Sequence, residues 1–362
     1  MYTLQYLLLF IIGVAVSFIL TPFVIKIAHK IGAVDVPNKR KVHTNTIPRL
    51  GGLAIYFGFV ITFIMMSFFE DVSWSILVGA TIIVVTGILD DKFEIKPIQK
   101  LAGQIIAALI VLFNGLQIKV ITIPFFSEDI QISWWIAFLV SFIWILGITN
   151  AVNLIDGLDG LAAGVSIIAL TSIFIMSLII GNEVSALLAI GLIGSTLGFL
   201  FFNFHPAKIF MGDTGSLLLG FLLSVMSLIG LKQVTFVTLV IPIIILAVPI
   251  IDTLIAIIRR KINRQGIMAP DKNHMHHRLL AVGFSHRKAV LMIYGIATFF
   301  GGSAILFYKA NLLGSSLIFI LLLIVIEFMI EKLSLISKNY KPMITMFHKI
   351  KVLLFGTVGS KG

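Results

Sequence analysis

The sequence contains no cysteine, and only 12% of its 362 residues are Asp, Glu, Lys or Arg. Without cysteine there is no disulfide, no thiolate nucleophile and no cysteine-ligated metal. Soluble domains carry about a quarter charged residues, so a chain with half that share and 59% hydrophobic residues is not a soluble enzyme. The same richness in apolar residues excludes a disordered chain. Acids are the scarcer charge, with 16 Asp and Glu against 27 Lys and Arg. Low-complexity linkers and a convincing internal repeat are missing too. The apolar runs are continuous rather than alternating, which argues against a transmembrane β-barrel. Met1 to Phe10 has no basic n-region and no small-residue cleavage site, so the first run does not read as a cleavable signal.

What the sequence has is hydrophobic length. Mean hydropathy is +1.11, and apolar runs of about twenty residues recur, the length a helix needs to cross roughly 30 Å of hydrocarbon. Eleven spans are expected, at about 4–27, 51–69, 73–89, 98–113, 134–152, 161–180, 184–202, 215–230, 236–258, 288–308 and 312–331. Of the 27 Lys and Arg, 24 flank one side of these spans; only Lys119, Lys232 and Lys309 fall on the other. Basic flanks stay cytoplasmic, so the N-terminus is expected outside and the C-terminus inside. The net charge of +11 is then mostly an orientation signal that also suits anionic headgroups and phosphates; no nucleic-acid partner is expected. Residues 117–133 alternate around Pro124 and predict a small external β-hairpin. The expectation is an all-α polytopic membrane protein, with one domain over 1–335 and a basic cytoplasmic tail over 336–362.

Four polar strings interrupt the spans on the basic side. In the first, Asp90 and Asp91 close an apolar helix, where charge is costly unless it meets water, a cation or a partner. Adjacent helical residues cannot share a face, so the two acids are expected to differ in duty; plain interface anchoring before a Pro97 helix start is the simpler alternative. In the second, NAVNLIDGLDG at 150–160, Asn153, Asp156 and Asp159 stand at i, i+3, i+6 and stack on one face if helical. No basic residue lies in that string, so a divalent cation or a hydrogen-bonding ligand is the natural compensator. The D-x-D-x-D-G-x5-E calcium pattern fails there. The third, at 203–216, puts Asp213 and Thr214 where a span begins, as an N-cap or as oxygen ligation of a hard cation beside a helix N-terminus that favours phosphate. Phe210 beside them offers stacking or packing. The fourth, at 259–278, clusters Arg, Lys and His274, His276 and His277, which can grip phosphate oxygens. Asp252, inside a span, is a functional candidate or a buried partner for a loop cation. Hard oxygen ligands, phosphate-gripping cations and an apolar wall together suggest phosphoryl transfer to a lipid.

These strings, in this order, resemble the polyprenyl-phosphate N-acetylhexosamine-1-phosphate transferases: Asp90-Asp91, NAVNLIDGLDG, FMGDTGS at 210–216 and PDKNHMHH at 270–277. The resemblance covers about residues 1–335. The His-x-His-His form and the Arg-rich loop before it resemble the branch using UDP-GlcNAc rather than UDP-MurNAc-pentapeptide. Residues 38–52 look like the Gram-positive, wall teichoic acid type more than the O-antigen or enterobacterial common antigen type. The resemblance implies attack of undecaprenyl phosphate on UDP-GlcNAc, release of UMP, and Mg²⁺ (or Mn²⁺) as cofactor, in a bacterial cell membrane with the active site facing the cytoplasm. It implies Asp213 as principal metal ligand with Asn153, and Asp90, Asp91, Asp156 and Lys100 as catalytic groups around the phosphates. Gly157, Asp159 and Phe210 match the uridine pocket. His274, His276, His277 and either Arg260 or Arg264 match the diphosphate and sugar site. A dimer is the working expectation for assembly. Outside this family, a secondary transporter or a non-catalytic lipid-binding scaffold fits less well: there are no evident inverted repeats, and every motif acid is present. Within it, UDP-MurNAc-pentapeptide or UDP-GalNAc is the nearest rival donor.

Overall fold

The computed structural model describes residues 2–35, 46–118, 120–122, 129–131, 133–230, 240–266, 271, 273–337 and 339–346. Long helices dominate. The first, α1 (Tyr2–Ile31), is followed by a short antiparallel pair, β1 (Val34–Asp35) and β2 (Ile47–Pro48). Then come α2 (Gly52–Met66), α3 (Ser75–Phe93) and α4 (Pro97–Phe113). The expected hairpin is present as β3 (Val120–Thr122) paired with β4 (Asp129–Gln131), Ile121 opposite Ile130. The central helices are α5 (Trp134–Ile155), α6 (Leu161–Ile180), α7 (Glu183–Asn203) and α8 (Gly212–Gly230). The chain continues with α9 (Val240–Ile245), α10 (Ala247–Ile262), the short α11 (Met275–Ala281), α12 (His286–Lys309) and α13 (Leu312–Lys332).

Among the described residues seven helices are long and apolar enough to cross a membrane: α1, α5, α6, α7, α8, α12 and α13. The chain is a multi-pass membrane protein built from helices, as only such elements satisfy their own backbone in lipid. Four expected spans are not among these seven. The helices α2 and α4 have only 15 and 17 residues, the last turn of α3 carries Asp90, Asp91 and Lys92, and the ninth span is broken at Leu246 into α9 and α10. Pro249 gives the reason for the break: it has no N–H to offer the carbonyl four residues back, and its ring clashes there.

The helix α8 is the hub, with 89% of its apolar window buried, against 6% for α13. It packs on α3, α5 and α6 and also meets α2. Its serines turn inward on the helix: Ser216 donates to the Gly212 carbonyl at 2.9 Å and Ser224 to Phe221 at 2.6 Å. Interhelical polar pairs add to packing where lipid supplies no hydrophobic drive. Gln104 of α4 and Asn150 of α5 exchange amide hydrogen bonds at 2.6 and 3.3 Å. Three residues after Asn150 comes Asn153, so this pair fixes the end of α5 on which the polar cluster is built. The start of the tail is docked: the Leu335 carbonyl accepts from Arg259, and the Leu333 carbonyl from Arg278 Nε at 2.9 Å.

Candidate active site

The ends of α3, α5 and α8 meet at one pole of the bundle, where the motif residues surround an open cleft of about 1160 Å³. That is large for one small ligand, since typical pockets run about 300–1,000 Å³. Asp90, Asp91, Asn153, Asp156, Gly157, Asp159, Phe210, Asp213 and His277 all line it.

The first turn of α8 is built by its neighbours. Gly212 is left-handed at φ +70°, and a side chain there would strike the Arg49 carbonyl and the Asp91 carboxylate. That carboxylate caps α8 from another helix. Asp91 Oδ1 accepts the Asp213 N–H at 2.8 Å; Oδ2 accepts the Thr214 N–H at 2.9 Å and the Thr214 hydroxyl at 2.6 Å. Both oxygens are occupied by N-terminal donors that a helix cannot satisfy internally. Asp90, one residue earlier, faces Lys100 instead. The Lys100 ammonium sits 3.5 Å from Asp90 Oδ2, 3.2 Å from Asn153 Oδ1 and in contact with Asp213 Oδ2. Asn153 Nδ2 donates to Asp213 Oδ1 at 3.1 Å and to Ser216 Oγ at 2.8 Å. Three side-chain oxygens from three helices thus surround one cation. All are hard donors of the kind a divalent cation such as Mg²⁺ takes, so Asp90, Asn153 and Asp213 fit a metal of that class.

Asp156 ends α5 at the cleft. Burial pushes its carboxyl up to about 7, reinforced by the charges of Asp91 and Asp159. Asp159 Oδ2 accepts from His205 Nδ1 at 2.7 Å and from the Ala207 N–H at 3.1 Å. Phe210 stands in the cleft on a backbone fixed by both neighbours: its N–H donates to the Pro48 carbonyl at 2.8 Å and its carbonyl accepts from Gly51 at 3.0 Å.

The histidine and arginine segment divides. His277 lines the cleft. His274 and His276 are buried behind it. His274 Nδ1 lies 2.8 Å from Asp252 Oδ2, whose other oxygen accepts the Met275 N–H at 2.7 Å. Asp252 is therefore the buried partner of this loop and caps α11. His276 faces Gly157 so closely that a Cβ there would overlap its Nε2. Burial first, and the neighbouring His277 second, lower its pKa to about 3. At neutral pH this imidazole carries no charge. Arg260 is buried with Nε 4.0 Å from Asp271, while Asp271 accepts from Arg259 Nε at 3.0 Å. Arg264 stands on an exposed turn at φ +55°. Neither Arg260 nor Arg264 lines the cleft. Pro270 and Lys272 of the same motif lie outside the described residues.

Several cleft residues escape a motif reading. Arg49 lines it and pairs with Asp35 at 2.6 Å. His205, Lys208 and His286 line it as well. All three histidine and lysine side chains sat on the basic side in the sequence, but only the fold brings His286 beside Asp159, 4.0 Å from its Oδ2.

Residues 73–231 match the family described as glycosyl transferase family 4. Over 342 residues the chain is 48% identical to the probable undecaprenyl-phosphate N-acetylglucosaminyl 1-phosphate transferase of Bacillus subtilis, covering 94% of this chain and 95% of that protein. It is 35% identical to the decaprenyl-phosphate N-acetylglucosaminephosphotransferase of Mycolicibacterium smegmatis, over 81% of this chain and 80% of that one. With the undecaprenyl-phosphate alpha-N-acetylglucosaminyl 1-phosphate transferase of Escherichia coli K12 it shares 30% identity over 75% of each. Motif order, cleft and near full-length similarity agree: the chain belongs to the polyprenyl-phosphate N-acetylhexosamine-1-phosphate transferases of glycosyl transferase family 4, in the branch of its N-acetylglucosaminyl relatives, and is a multi-pass plasma-membrane protein.

Proposed function

We propose that the chain transfers GlcNAc-1-phosphate from UDP-GlcNAc to undecaprenyl phosphate, releasing UMP and leaving undecaprenyl-diphospho-GlcNAc in the membrane. The observation that carries this is the meeting of Asp90, Lys100, Asn153 and Asp213 in one cleft, in a chain 48% identical to a protein named for that transfer. Leu89, Phe93 and Ile98, exposed apolar residues beside Asp90, give a polyprenyl chain an apolar approach.

An oxygen of the lipid phosphate attacks the sugar-linked β-phosphorus, and the bond to the bridging oxygen breaks, so that UMP leaves with the electron pair. A phosphate monoester has a second pKa of about 6, so the nucleophile needs no strong base, and Asp90 serves to align it. Lys100 neutralises phosphate charge. Asp213, with Asn153 and Asp90, would hold Mg²⁺, with Mn²⁺ as the alternative; bound there, the ion neutralises charge on the diphosphate. The chain's contribution is positioning and electrostatics. Phe210 stacks on uracil, Gly157 and Asp159 complete the base pocket, and His277 reaches the diphosphate or sugar. His276 supports the Gly157 wall from behind. The charge asymmetry of the flanks supports eleven spans with this cleft on the cytoplasmic face. Entry of the product into wall teichoic acid synthesis rests on residues 38–52 alone, of which those up to 45 lie outside the described residues.

The test is UMP release by purified protein given undecaprenyl phosphate, Mg²⁺ and, separately, UDP-GlcNAc, UDP-GalNAc and UDP-MurNAc-pentapeptide. UMP from UDP-GlcNAc alone is expected. UMP from UDP-MurNAc-pentapeptide would overturn the donor assignment, and none from any donor, with folded protein, the transfer itself.

A further inference from the structure

Asp159, His205 and His286 form a second polar cluster in the cleft, with one ligand atom from each lying within 4.8 Å of the others. Such a trio invites a metal, but the rings are set wrongly for one. The two imidazoles are stacked, centroids 4.1 Å apart and planes 19° from parallel. An imidazole binds a metal along an in-plane lone pair, at about 2.0–2.1 Å for zinc. Lone pairs in two nearly parallel planes at that spacing do not converge on one ion.

What the cluster does is hold a carboxylate. An ionised carboxylate only accepts, so His205 Nδ1, 2.7 Å from Asp159 Oδ2, carries the proton of that bond. The Ala207 N–H donates to the same oxygen at 3.1 Å. The His205 backbone is fixed in turn: Arg287 Nε and Nη2 both donate to its carbonyl, at 3.2 and 3.0 Å. On the opposite loop, the Gly160 N–H donates to Asn203 Oδ1 at 3.1 Å. The loops carrying Asp159 and His205 are therefore clipped to each other and to the start of α12. Oδ2 is engaged twice, whereas Oδ1 has no hydrogen bond among the described residues, in a side chain that lines the cleft.

We propose that His205 is a positioning residue for the nucleotide base. It locks the Asp159 carboxylate through Oδ2, so that Oδ1 is presented to a ligand N–H, which for a uridine nucleotide is the imide. This rests on the placing of uridine at Asp159 made above. His286, stacked behind His205, keeps the imidazole from swinging away.

Three variants test it: His205→Ala, His205→Asn and Asp159→Ala, each read for kcat and for KM of both substrates, with equilibrium UMP binding as a second readout. His205→Ala is expected to raise KM for UDP-GlcNAc and Kd for UMP about tenfold, the scale of one charge-assisted hydrogen bond. The KM for undecaprenyl phosphate and kcat stay near wild type. Asn carries an N–H close to where the imidazole Nδ1 stands, so His205→Asn restores most of the nucleotide affinity. Unchanged nucleotide affinity in His205→Ala, an equal loss for both substrates, or no rescue by Asn would overturn the positioning role. Asp159→Ala separates the two levels. If it leaves UMP binding intact, the uridine placement itself falls; if it weakens binding while His205→Ala does not, only the role of His205 falls.

Discussion

Asp90 and Asp91 are neighbours in sequence that do different work. Asp91 has both oxygens bound to the start of α8, whereas Asp90 reaches Lys100. Asp91→Ala should therefore destabilise the protein by about 2 kcal/mol or more, the combined scale of a helix cap and a charged hydrogen bond, seen as a lower Tm in detergent. Asp90→Ala should keep Tm and lose turnover. Asp213→Asn should abolish turnover and its Mg²⁺ dependence while the protein stays folded; wild-type turnover in that variant would remove Asp213 from the metal set. Phe210→Ala should weaken UDP-GlcNAc binding by about 1–3 kcal/mol, the worth of one base stacked on an aromatic, and leave lipid affinity alone. Equal loss for both substrates would make Phe210 a packing residue. His276 supplies a pH signature. Its folded pKa is depressed to about 3 from 6.5, so between those values the unfolded chain binds a proton that the folded chain does not. Stability from this group is complete above about 6.5 and is lost as pH falls towards 3. Tm of the wild type should drop over that acid range more steeply than Tm of His276→Gln.

At the scale of elements, α8 shows how one helix start sets a site. Asp213 is useful only because Gly212 turns left-handed and lets the Arg49 carbonyl and the Asp91 carboxylate close in on it. Gly212→Ala should lower Tm and turnover together, by straining that turn and displacing Asp213; normal kinetics would show that the turn tolerates a side chain. The sequence showed that a helix begins here and that Asp213 and Thr214 could cap it. It could not show that the cap comes from Asp91, more than a hundred residues away, because capping across helices leaves no local pattern. The ninth span departs from one straight helix for a related reason: hydropathy sees a continuous apolar run, but Pro249 breaks its hydrogen-bond ladder into α9 and α10.

For the whole molecule, the charge asymmetry of the flanks predicts an orientation. The absence of cysteine makes the chain ready for single-cysteine labelling. Lys309 and Arg264 are both exposed at ends of helices. Lys309→Cys should react with a membrane-impermeant maleimide in intact cells, and Arg264→Cys only after permeabilisation; the reverse pattern would invert the topology. By itself the sequence determined the membrane class, the helical architecture and most of the cleft, since burial in lipid demands long apolar runs and leaves polar side chains only where they have work. Asn153, Asp156, Asp159 and Asp213 stood out for that reason. Tertiary structure alone decided which polar groups serve one another. It gave Asp252 to His274, Asp271 to Arg259 and His205 to Asp159. It also set His274, His276 and Arg260 behind the cleft wall while His277 stayed on it. Hydropathy and spacing act along the chain, whereas a hydrogen bond between loops depends on helices that meet only after they have packed.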